Sequence, residues 1–308
     1  MGVSVATTAG CCRTRVPICA LPAAIVITCC YGWSIGEEIV RWFRLILSIG
    51  LAMISAAERA AAQDAAAFLA GATNNCRGCV LSGANLDRRD LTGADLAGVS
   101  LKRRDLTGAN LEGANLQGAS FHRAVLRGAS LAGADLRDAN LNLAVLTSAN
   151  LQRANLAQAL LFQVEAGGAD FRAANLGAAL MGSARLINAK LDNADLTFAD
   201  LFEARLTNAS LRNATITETN LYGANALRAD LSGASGERAI FVRATMRGAN
   251  LSGAMLREAD LFQADLVEAD LTGADLQRAR LAAAKLFNAV QTDTKLQGAI
   301  MPDNSTHP

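Results

Sequence analysis

Histidine is nearly absent from this 308-residue chain, which holds only His122 and His307. Nucleophilic catalysis by a serine or cysteine usually needs an imidazole beside the nucleophile. A zinc site built on histidine needs more of them than this. Aromatic residues make up 5% of the chain, although hydrophobic residues reach 51%, so the core must be made of leucine and alanine. Net charge is also missing. The 29 Lys and Arg nearly cancel the 28 Asp and Glu, which leaves neither a basic surface for nucleic acid nor a strongly acidic one. No glycine-rich phosphate loop is present, because the glycines follow a different spacing. No enzyme, cofactor or metal is expected from this composition.

What the chain has instead is a repeat. From residue 81 to 300 it reads A-(N/D)-L-x-x, as in Ala84-Asn85-Leu86, Ala94-Asp95-Leu96 and Ala269-Asp270-Leu271. Stepping by five from Leu81 to Leu296 gives 44 centres without a slip, and 40 of them are Leu, Phe, Ile or Met. Ala stands two residues before the centre in 37 of the 44 cases. On an α-helix, centres five apart would precess by roughly 140° and form no single stripe. On a flat strand they would point to opposite faces. A chain that turns a corner every five residues buries both the centre and the Ala, and leaves the other three positions outside. Gly83, Gly93, Gly108, Gly113 and Gly118 fall two after a centre, where a turn with positive φ suits glycine.

With these residues the chain resembles the pentapeptide-repeat family over residues 81–300. The resemblance implies an all-β fold, a right-handed quadrilateral parallel β-helix. Forty-four pentapeptides at four per coil make a solenoid of about 11 coils, a rod of roughly 50 Å at the usual interstrand spacing. The family is less informative about function, since it includes DNA mimics that protect topoisomerases. That activity needs an acidic surface. Residues 81–301 carry 23 Lys and Arg against 23 Asp and Glu, which disfavours the mimic and gives no support to direct nucleic-acid binding. The Asp residues at Asp95, Asp135, Asp195 and Asp275 occupy the N/D position of the repeat, not a catalytic site.

The first eighty residues follow another grammar. An apolar run over 16–35 comes after Arg13 and Arg15 and is interrupted by Pro17 and Pro22; a second, over 45–57, comes after Arg41 and Arg44. The second suits a signal peptide, with Ala60 and Ala62 placed for a cut that leaves Gln63 first. The alternative is membrane retention through residues 16–57, since the first run is long enough to span. Residues 1–39 hold five of the seven cysteines and read as an extension upstream of a start near Val40. The expected organisation is thus a signal or membrane segment at 1–62, a capping helix within 63–75, the β-helix over 76–301, and a disordered tail at 302–308. A periplasmic or secreted location follows from export, and an inner-membrane anchor follows from retention. Phe68 and Leu69 are the residues expected to plug the open end of the coil.

Cys76 and Cys79 stand just before the first coil, at a centre and at an Ala position respectively. A thioredoxin-like pair or half a zinc site lacks its usual surroundings here. A structural pair, bridged as a disulfide in an exported protein, fits better.

Residues twenty apart stack if four pentapeptides make a coil. One outward row then reads Phe162, Gly182, Phe202, Tyr222, Val242 and Phe262. Leu160, Leu180 and Ile240 lie on the same face, just before its centres. This apolar band is the candidate interface for a protein partner of unknown identity, for a second copy, or for the N-terminal region. Arg89 and Arg104 occupy inward Ala positions, where an unpaired guanidinium is costly, so distortion or escape to solvent is expected. Gly236 and Ala226 are expected to leave the core thin.

Overall fold

The computed structural model describes residues 65–81 and 84–308. The repeat folds as a parallel β-helix with twenty residues per coil. Except at Asn85, the residue before each centre forms a parallel bridge with the residue twenty further on, from Asn75↔Asp95 and Val80↔Ser100 through to Arg280↔Ile300. A turn every five residues makes four sides, each too short to carry more than one bridge.

The pentapeptide around Leu96 shows why the motif has this form. Ala94 N–H closes the preceding turn onto Leu91 O at 3.1 Å. Asp95 N–H donates to Asn74 O below at 2.8 Å, while Leu96 and Gly98 donate to Asn115 O and Gln117 O above, at 2.8 and 2.9 Å. Ala97 N–H is left over by the backbone, and it donates to the Asp95 carboxylate at 3.3 Å. All five donors are satisfied, and the N/D position exists to take the fifth. Where Thr follows a centre preceded by Asp, its hydroxyl can add a second bond to the same carboxylate, at 2.6 Å in Asp90, Asp105 and Asp195. This hydroxyl bond, followed by the backbone one, holds Asp90 and Asp105 below the usual carboxylate range.

The second residue after the centre has positive φ, as the third residue of a type II turn requires. Gly93, Gly98 and Gly108 satisfy this at φ between 63 and 68°, but Arg103, Leu143, Ala173 and Phe198 adopt the same conformation at 55 to 60°. A side chain there costs roughly 1–2 kcal/mol. Ala173 is exposed and loses nothing by truncation. Ala173→Gly is therefore expected to stabilise the fold by ~0.5–1 kcal/mol after glycine's extra unfolded-state entropy is subtracted. A urea unfolding midpoint that moves up checks this.

The centres and Ala positions form one continuous core from Cys76 to Ala299. Gly236 does not leave that core thin as expected. A Cβ built on it would stand 2.7 Å from Ile216 Cγ1 and 2.8 Å from Leu256 Cδ2, so the coils on either side already occupy the space. Ala226 is buried, and so are Val164 and Ala166, where one side chain is larger and its neighbour smaller than the repeat's usual residue.

At the N-terminal end, residues 65–69 form a short helix that stops at Gly71, φ 75°. Gly71 N–H donates to Phe68 O at 3.0 Å and Ala72 N–H to Ala67 O at 2.9 Å, the paired bonds of a Schellman ending. Phe68 joins the core, whereas Leu69 is exposed. Neighbours on a helix point about 100° apart, so only one of the two can face the coil. Arg89 escapes the core as expected, and gains a role in doing so. Its Nη2 donates to Phe68 O and Leu69 O at 3.1 and 2.6 Å, adding a second donor to the first carbonyl, which already accepts from Gly71 N–H, and capping the second at the helix end. Its guanidinium also lies 5.7 Å from the centre of the Phe68 ring.

At the other end, the expected disordered tail is instead paired. Residues 302–308 turn back so that Ile300 and Thr306 form an antiparallel bridge. His307 N–H donates to Ala299 O and Gly298 N–H to His307 O. A last coil has unpaired backbone groups and no coil beyond it, and the tail supplies partners for some of them. Gln291, a polar residue at a centre position, is exposed in this last coil.

Candidate protein-docking face

The row centred on Phe202 and Tyr222 is a built surface. Their rings stack with centroids 5.5 Å apart and planes inclined by 14°, the separation that one coil step imposes on side chains twenty residues apart. Phe162 lies over Gly182: a Cβ on that glycine would meet the ring at 3.4 Å. Gly182 is thereby buried beneath the ring. The Tyr222 hydroxyl accepts from Arg243 Nη1 at 3.2 Å, and Arg243 Nε donates to Gln263 at 2.9 Å. Phe262 sits beneath the Arg280 guanidinium at 4.2 Å, and the same guanidinium pairs with Asp260 at 3.3 Å. These polar neighbours come from the next coil, twenty-one residues on for Tyr222 and eighteen for Phe262.

Phe162 and Leu180 are each 48% exposed, and Phe202 and Ile240 are also exposed. Leu160, Tyr222, Val242 and Phe262 are half-buried. The coil brings all eight onto one face. The aromatics partly shield the backbone beneath them, yet a contiguous apolar band remains open to solvent. Phe198 and Phe287, at 60% and 72% exposure, lie off this face: Phe198 stacks between Ala178 and Glu218 in its row, and Phe287 follows Val267 in another.

Cys76 and Cys79 are both buried in the first coil and paired as a disulfide, with Cα atoms 5.1 Å apart. Among the described residues, no group of three or more His, Cys, Asp and Glu is placed to hold a metal ion. No helix among them is long and apolar enough to cross a membrane; the apolar runs 16–35 and 45–57, the proposed cut after Ala62 and the extension 1–39 lie outside the described residues.

Charges cancel between neighbouring coils. Glu165 pairs with Arg185, Glu218 with Arg238, and Glu258 with Arg278, each twenty residues apart, at 3.8, 2.6 and 3.5 Å. Arg257 pairs with Asp275 at 2.8 Å across a step of eighteen. Exposed pairs of this kind contribute little stability. Their consequence is electrostatic, because each sets a cation beside a carboxylate of the neighbouring coil.

A family model described as pentapeptide repeats matches this chain in eight copies between residues 75 and 302. Among solved structures, the chain is similar to HetL, a pentapeptide repeat protein involved in heterocyst differentiation regulation from the cyanobacterium Nostoc sp. strain PCC 7120. Identity is 31%, over 72% of this chain and 93% of that one, with a TM-score of 0.43. It is also similar to QnrB1, a plasmid-mediated fluoroquinolone resistance protein, at 21% identity over 62% of this chain and 87% of that one, TM-score 0.33. A pentapeptide repeat protein from the Arabidopsis thaliana thylakoid lumen is 30% identical over 38% of this chain and 71% of that one, TM-score 0.18. No curated protein matches.

Proposed function

The chain belongs to the pentapeptide-repeat family, and from that premise we propose that it is a non-catalytic scaffold, a protein-binding rod of the bacterial envelope. Its finer form is the right-handed quadrilateral helix of about eleven coils, closed at the N-terminal end by the helix at 65–69. The observation that carries the reading is the aromatic face. Phe162, Leu180, Phe202 and Ile240 stay exposed on one side of a fold whose other sides are mostly small and polar, and a contiguous apolar band on a soluble rod marks an interaction site.

The envelope location is supported by sequence. Arg41 and Arg44 precede a thirteen-residue apolar run and then small residues, and a buried disulfide at Cys76 and Cys79 suits an oxidising compartment. A membrane-tethered rod that serves an assembly is the variant of this reading in which residues 16–57 are retained. The competing class, an intracellular DNA mimic, is disfavoured by the cancelled charges of residues 81–301 and by their pairing from coil to coil.

Phe202→Ser combined with Phe262→Ser tests the proposal. The fold is expected to survive, with an unchanged circular dichroism spectrum, since both side chains lie outside the core. The complex formed in the cell is expected to be lost, with the protein sedimenting as a smaller species. Unchanged sedimentation would sink the reading.

A further inference from the structure

The aromatic face has an internal symmetry that bears on what covers it. This inference rests on the reading of that face as the docking surface, and it names the occupant: we infer that a second copy of this chain packs against it, antiparallel, about a two-fold axis lying between the coils of Phe202 and Tyr222. A two-fold interface sets the same patch against itself. Turned about that axis, Phe202 of one copy faces Tyr222 of the other, and Phe162 faces Phe262. Gly182, buried under the Phe162 ring, comes opposite the half-buried Val242, so the flank of that ring meets a small apolar side chain.

The flanking rows obey the same symmetry. In the row before the centres, Leu180 faces Ile240 and Asp200 faces Asn220. In the row after, Gln163 faces Gln263. Glu203 faces Gly223 and lies one coil step, about 4.8 Å along the axis, from Arg243 of the other copy. No acidic group is set against another. Ser183 faces Arg243, and at the rim Leu160 faces Asp260, whose carboxylate Arg280 already pairs at 3.3 Å. Parallel packing in register would lose these features. Its two-fold would run along the rod and exchange the flanking rows, setting Asp200 of one copy toward Glu203 of the other, acid against acid.

The test uses the full chain with a photoreactive benzoylphenylalanine in place of Phe202, irradiated in the cell. The expected product has twice the mass of one chain. Register is read by mixing chains carrying Gln163→Cys with chains carrying Gln263→Cys, linking them with a short bismaleimide, and identifying the joined peptides by mass spectrometry. The expected link joins 163 to 263, because two copies of residue 163 would lie five coil steps, roughly 24 Å, apart. Links from 163 to 163 without any from 163 to 263 overturn the antiparallel pairing. A photoproduct of any other mass overturns the second copy as occupant while leaving the face a docking surface. No photoproduct at all overturns both.

Discussion

Giving position 236 the leucine that the repeat calls for should weaken the protein. Gly236→Leu is expected to lower the unfolding free energy by about 1–3 kcal/mol, as overpacking of a filled core does. Ile216 and Leu256 already stand within 3 Å of where the first side-chain carbon would go, and both are fully buried. The added leucine would force them off their rotamers or push two coils apart. Pairing it with Ile216→Ala should recover part of the loss, because that truncation opens the contested space. Urea unfolding of the single and double variants measures both effects. A Gly236→Leu protein at least as stable as the parent would mean that the space is empty after all.

The second large effect depends on position along the rod. Leu191→Ala, at a fully buried centre with coils on both sides, is expected to cost about 2–5 kcal/mol. Leu286→Ala, only partly buried in the last coil, should cost at most about 1 kcal/mol, in proportion to the smaller area it removes from water. Each coil touches only its neighbours, so faster amide exchange in Leu191→Ala should centre on residues 171–211 and fade beyond them. Hydrogen exchange read by mass spectrometry resolves this. Equal losses for the two substitutions would contradict a core that runs as a line with open ends.

The coil and its register are legible in the sequence because the five-residue frame never slips between Leu81 and Leu296. One period assigns inside and outside to every residue in that span. The aromatic face is legible for the same reason, once residues are read twenty apart. What escapes the frame are contacts made where the repeat stops or where its residues deviate. Phe68 turns in and Leu69 out because of where a five-residue helix ends, and that end is fixed by Gly71. Arg89 looks like a buried liability until its reach to the carbonyls of Phe68 and Leu69 is known. Gly236 looks like a void because the frame describes one coil at a time, whereas Ile216 and Leu256 come from the coils on either side. Residues 302–308 look like a polar tail because their pairing with residues 298–301 has no repeat to announce it.

The central claim is that one face of this rod, and not its exposed apolar residues in general, is covered by protein. Hydroxyl-radical footprinting of the chain in its cells, compared with the same chain purified and diluted, tests it directly. The molecule carries its own controls, for Phe198 and Phe287 are at least as exposed as the residues of the band. Phe162, Phe202 and Tyr222 should be protected in the cell and become reactive on dilution, while Phe198 and Phe287 react equally in both states. Equal reactivity of all five aromatics in the cell and after dilution would contradict the account.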